Sequence, residues 1–129
     1  MSKKSSIDNK LDVAWSKLVK LEWGGKCAYC GKEKPLNSHH IFSRSARSVR
    51  WDTDNGICLC VGCHTFSSKF SAHKTPTEFT YWLEDLKGRE WLEALEKKKN
   101  TIVKLAKWEK EELLAELNRR IRILENKKH

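Results

Sequence analysis

Two Cys-x-x-Cys pairs, Cys27 with Cys30 and Cys60 with Cys63, constrain this chain more than any other feature. Each pair presents two sulfurs on a short turn at the spacing one ion needs, so together the four thiolates can close a tetrahedral zinc site. Zinc ribbons often separate such pairs by little more than a dozen residues, and here the segment between them is about twice as long. That longer segment carries His39, His40 and Asn55, and His64 abuts the second pair. If the cysteines hold zinc, the histidines are left for other work.

A chain of 129 residues has the size of one domain, and a structural metal helps a core of that size. Its 26 Lys and Arg against 17 Asp and Glu give a formal net charge of +9. Clustered cations of that sign favour a phosphate backbone through counterion release, which points to nucleic acid. Residues Met1 to Ser6 are polar, no apolar signal core follows, and no run is long enough to span a bilayer. The expectation is a cytoplasmic protein with no membrane partner. Thiols stay reduced there, so paired cysteines read as metal ligands and Cys58 as a buried, unpaired strand residue.

The apolar residues Leu11, Ala14, Trp15, Leu18, Val19 and Trp23 recur at three- and four-residue steps, which predicts an amphipathic helix over 7–23 with Ser6 or Asp8 as its cap. Gly24 and Gly25 should stop it and turn the chain into the first cysteine pair. Short strands are expected over 36–42 and 56–60, joined as a hairpin. Between them Arg44, Arg47 and Arg50 recur every third residue with serines interleaved, a pattern suited to gripping phosphates. A helix is expected over 65–74, with Phe66 and Phe70 at helical spacing. Further helices should start at Pro76 and stop at Gly88, run from Trp91 to the lysines at 97–99, and span about 107–126. The last carries Leu113, Leu114, Leu117, Ile121 and Leu124. That stripe suits packing back on the domain or pairing with a second copy.

Adjacent residues on a strand point to opposite faces, so His39 and His40 can hold different jobs, one on metal and one as a base, only if the backbone or the hairpin twist lets both address one site. Asn55, if it lies across the hairpin, could bond the opposite backbone and hold that base. The runs Ser38-His39-His40-Ile41-Phe42 and Asn55-Gly56-Ile57-Cys58-Leu59-Cys60-Val61-Gly62-Cys63-His64 resemble the HNH nuclease motif. More narrowly they are similar to bacteriophage HNH endonucleases related to the NinG/Rap recombination nucleases. The resemblance implies a small α+β fold: a zinc-stapled ββα-metal, treble-clef-like core over 27–75, flanked by an N-terminal helix within 1–26 and a C-terminal helical extension over 76–129.

Carried over by position, the resemblance makes His39 and His64 ligands of a catalytic divalent ion such as Mg²⁺ or Mn²⁺. It makes His40 the general base, Asn55 its orienting residue, and Cys27, Cys30, Cys60 and Cys63 the structural Zn²⁺ ligands. Colicin-type members place another histidine one helical turn beyond the second ligand, where this chain has Ser68. His73 reads as a surface residue, which leaves the third ligand place to water, and His129 as a disordered terminus. The expected function is metal-dependent nicking of DNA to 5′-phosphate and 3′-hydroxyl ends, in phage recombination or packaging. Phage recombination or terminase proteins would be the protein partners. The alternative is a non-catalytic zinc-finger module that binds DNA, which explains the cysteines and the charge but gives the histidines no task.

Overall fold

The computed structural model describes residues 6–67 and 70–127; Ser68 and His129 lie outside them. Helix α1 spans Ser6–Glu22 and buries Leu11, Ala14, Trp15, Leu18 and Val19, the stripe its spacing predicts. Asp8 lies in its first turn and pairs with Lys110 at 2.8 Å. At the other end Gly24 and Gly25 take φ of 73° and 71°, a left-handed conformation that glycine adopts without strain. Their N–H groups close onto the carbonyls of Leu21 and Lys20.

Strands β1, Leu36–His40, and β2, Gly56–Cys60, form a two-stranded antiparallel sheet in which His39 faces Ile57 and His40 faces Gly56. The strand expected over 36–42 ends at His40. The pairing carries on through one bond, Ile41 N–H to the Asn55 carbonyl at 2.9 Å. It stops at Phe42 because the Asn55 side chain takes both backbone groups of that residue.

Every residue of β2 is buried. Gly56 lies against α1, where an added Cβ would come within 2.5 Å of Val19 and 2.8 Å of Trp15. On the other side Ile57 and Leu59 pack with Phe79 and Leu83.

The helix expected over 65–74 is not formed. The chain makes one π-helical turn, Gly62–Phe66, and Ser67 is extended. It then doubles back: Ala72 N–H donates to the Cys63 carbonyl at 2.8 Å and His73 N–H to the His64 carbonyl at 3.1 Å. Bonds between residues nine apart cannot coexist with a continuous helix, whose partners are four apart. Ser71, fully buried, ties the turn together through Lys74 N–H on its hydroxyl and the Thr75 hydroxyl on its carbonyl.

Helix α2, Pro76–Lys87, starts with proline and stops at Gly88, and α3, Arg89–Lys99, follows directly. Helix α4, Lys107–Lys127, lays Leu117 and Ile121 against α1, with Leu113, Leu114 and Leu124 beside them. Its apolar stripe is therefore spent within the chain. Burying each such side chain contributes about 1.5–3 kcal/mol, so the pairing of α1 with α4 is a principal source of stability. Among the described residues no helix is long and apolar enough to cross a membrane.

Candidate metal centres and the residues around them

The four cysteines meet where the turn after α1 crosses the end of the hairpin. Their sulfurs all lie within 4.8 Å of one another, with Cys30 and Cys60 at 3.5 Å. A tetrahedral ion about 2.3 Å from each ligand needs sulfurs about 3.8 Å apart, which this cage allows. Both pairs share one device: the N–H of Cys30 points at the Cys27 sulfur and that of Cys63 at the Cys60 sulfur, each at 3.4 Å. Burial pushes the Cys27 thiol up, but backbone N–H groups around it, that of Cys30 foremost, overcome this and lower it to about 7. Burial raises the thiols of Cys30 and Cys63, so it is the convergence of four sulfurs on two turns, with Cys27 the readiest to ionise, that gives the donor set of a structural zinc site. Cys58 takes no part; burial raises it to about 11, as expected of a thiol packed as an apolar residue.

A second cluster joins His39, His64 and His73, one ring nitrogen from each lying within 4.8 Å of the others. The His64 and His73 Nε2 atoms are 3.2 Å apart, and the His39 ring meets both edge-on. Phe79 of α2 closes the far side of His39 with centroids 5.4 Å apart. Burial, then the neighbouring His64 and His73, lowers His39 to about 3, and burial with His73 lowers His64. Imidazoles converging in this way, with His39 and His64 held below their ordinary pKa, can hold a divalent transition metal ion. His73, read from sequence as a surface residue and not a ligand, is exposed yet belongs to this cluster. The turn that doubles back on residues 63 and 64 delivers it.

His40 leaves β1 on the opposite face. Its ring stacks on Trp15 with centroids 3.8 Å apart and 7° between the planes. Its Nε2 lies 2.9 Å from the Arg50 carbonyl oxygen. A carbonyl can only accept, so Nε2 carries the proton and Nδ1 keeps its lone pair. Among the described residues no group bonds that Nδ1. Burial is the main cause that lowers the pKa of His40.

Asn55, fully buried, accepts from Phe42 N–H at 2.7 Å and donates to the carbonyls of Phe42 and Val49 at 2.9 and 3.2 Å. It thereby fixes both ends of the loop whose next residue, Arg50, holds His40.

Residues 27–69 match the family model described as HNH endonuclease. This segment is an HNH domain. HNH domains are generally nucleases and act on DNA, and this one carries a four-cysteine cluster able to bind zinc. No curated protein and no solved structure matches the chain.

The three arginines of the HNH domain have different surroundings. Arg50, with its side chain 11% exposed, forms a two-pronged pair with Asp12 at 2.7 and 3.1 Å. Arg44, 61% exposed, reaches the same carboxylate at 3.3 Å. Arg47 is exposed and has no carboxylate partner among the described residues. Asp12 also accepts from Trp51 Nε1 at 2.8 Å, so one carboxylate of α1 organises the whole loop. Sequence reading had no means to find Asp12, which lies 38 residues from Arg50 on a helix face with no motif.

Proposed function

We propose that the chain is a metal-dependent HNH endonuclease that hydrolyses DNA phosphodiester bonds. His40 is the general base, Asn55 the residue that positions it, and His39, His64 and His73 the ligands of a catalytic divalent ion. The observation that carries this reading is the hydrogen bond from His40 to the Arg50 carbonyl, which leaves the Nδ1 lone pair free. A ring held below its ordinary pKa by burial is neutral near pH 7 and ready to take a proton.

His39, His64 and His73 would hold a divalent ion, which would supply Lewis acidity for phosphodiester hydrolysis. Three imidazoles without a carboxylate suit cobalt, nickel or zinc better than magnesium, which prefers oxygen ligands. His40 Nδ1 takes a proton from water, the water oxygen attacks phosphorus, and the bond to the 3′ oxygen breaks, that oxygen taking a proton from solvent. The ends left are a 5′ phosphate and a 3′ hydroxyl. Cys27, Cys30, Cys60 and Cys63 hold structural zinc and fix the hairpin that bears the histidines.

Of Arg44, Arg47 and Arg50, Arg47 is the freest to grip a phosphate, since the other two share Asp12. Residues 27–75 form the catalytic unit, with 1–26 and 76–129 as its supports. One such unit makes nicks; a second copy would pair through the outer side of α4, where Trp108 and Ile123 are exposed. The likeness of residues 38–42 and 55–64 to phage recombination nucleases supports a role in phage DNA recombination or packaging, with recombination or terminase proteins, in the host cytoplasm.

The test is cleavage of supercoiled and branched DNA with Mn²⁺, Ni²⁺, Mg²⁺ or no added ion, followed by analysis of the ends. Nicking that depends on the ion and leaves 5′ phosphates is expected. Binding with no cleavage of any substrate would favour the non-catalytic zinc-finger module instead.

A further inference from the structure

Helix α3 ends on the arginine loop. The Ser48 hydroxyl donates to the Lys99 carbonyl at 3.0 Å, and Lys98 pairs with Asp52 at 2.7 Å. The Lys99 ammonium stands 5.1 Å over the ring of Phe42, the residue whose backbone Asn55 clamps. The last turn of α3 is thus fixed to the segment that carries Arg44, Arg47 and the carbonyl that holds His40. Beyond the helix the chain returns along the same loop, so that Arg47, Trp51, Lys104 and Lys110 line one groove.

The charges at this junction are unbalanced. Lys98 neutralises Asp52, and Asp54 is the other carboxylate that acts on Lys98. Lys110 is paired with Asp8. Among the described residues Lys97, Lys99 and Lys104 have no carboxylate partner, nor has Arg47. The acidic residues Glu90, Glu93 and Glu96 precede the docked end of α3. A lysine-rich last turn complements the dipole of any helix. That account covers neither Lys104, which lies past the helix, nor the docking of the turn on the arginine loop.

We propose that Lys97, Lys99 and Lys104 form, with Arg47, a second row of cations that holds the nucleic-acid phosphate backbone away from the cleaved bond. The partner is the backbone and not base edges, because lysine offers a mobile point charge with no fixed geometry for reading bases. This rests on the nucleic-acid reading above and adds a contact surface outside the HNH domain.

The test measures binding of a labelled duplex by fluorescence anisotropy between about 50 and 200 mM salt. It uses the zinc-loaded full chain with no added divalent ion. One variant combines Lys97→Gln, Lys99→Gln and Lys104→Gln. A control combines Arg119→Gln, Arg122→Gln and Lys127→Gln, which removes the same charge toward the far end of α4. Each lost phosphate contact lowers the slope of log K against log salt by about 0.9. The lysine variant should lose about 2 to 3 in slope and the control less than about 1. Equal losses in the two variants, or an unchanged slope in the lysine variant, would overturn the proposal. A parent that binds no DNA would overturn it together with the proposed function, whereas a parent that binds with the expected slopes but never cleaves would overturn the nuclease reading alone.

Discussion

The ring of His40 lies flat on that of Trp15, with 3.8 Å between centroids and 7° between planes. Trp15 is itself fixed by its Nε1, which donates to the Asp52 carbonyl at 2.8 Å. One side of the His40 ring is therefore set by α1, outside the HNH domain, and its Nε2 by the Arg50 carbonyl. Trp15→Phe keeps the stacked face and loses one hydrogen bond, at a cost of about 1 kcal/mol, with nicking near the parent rate. Trp15→Leu removes the stack, and a loosened base should lower the nicking rate about 10- to 100-fold. A folded, zinc-loaded Leu variant that nicks at the parent rate would show that the stack does not position His40.

Gly56 faces His40 across the sheet and lets α1 approach. Its φ of −125° is ordinary extended backbone, so the requirement is for space and not for conformation. Gly56→Ala must push Val19 and the Trp15 ring aside, and overpacking of this kind costs about 1–3 kcal/mol. Chemical denaturation of the zinc-loaded protein measures this. Unchanged stability would mean that α1 can withdraw from the hairpin without loss.

Asp12 gives a pH dependence whose sign follows from its partners. Burial would raise its pKa, but hydrogen bonds from Arg50 and Trp51 and the charges of Arg50 and Arg44 outweigh burial and hold it below its ordinary 3.8. Its contribution is present above that value and is lost as pH falls through the folded pKa, where the native carboxylate finally takes its proton. Asp12→Asn should cost about 1–3 kcal/mol near neutral pH by leaving buried donors poorly paired. The difference between parent and variant should shrink below pH 3.8. Comparing the two cancels the loss of zinc that acid also causes. A difference that stays constant through the acid range would remove Asp12 as the organising charge.

His73→Ala tests the third ligand. Even an outer-shell partner is worth about 10- to 100-fold in metal affinity, so loss of a direct ligand should weaken Co²⁺ or Ni²⁺ binding at the histidine site by at least about tenfold. Calorimetry on protein whose cysteine site already holds zinc gives the affinity without reference to activity. Equal affinities would return the third position to water.

Much of the site was legible because its motifs are local. The two Cys-x-x-Cys pairs carry their chemistry in their spacing, and the structure brings the four sulfurs together, whereas the roles proposed for His39, His40 and Asn55 come from the family resemblance. The α1 stripe was equally plain, since five buried residues follow helical steps. His73 was not legible. Its arrival depends on Ala72 and His73 bonding the carbonyls of Cys63 and His64, a turn with neither strand nor helix periodicity. The state of Arg50 was hidden for a related reason: its partner Asp12 sits on a distant helix, and no pattern couples them before the fold exists.

The central claim is that His40 is the base of a metal-dependent nuclease. The most direct measurement compares the parent with His40→Ala on supercoiled plasmid in Mn²⁺, after zinc content and folding have been shown equal. The account predicts ion-dependent nicking by the parent and a loss of at least about 100-fold in the variant, the scale of general-base catalysis. A folded, zinc-loaded His40→Ala protein that nicks as fast as the parent would contradict it.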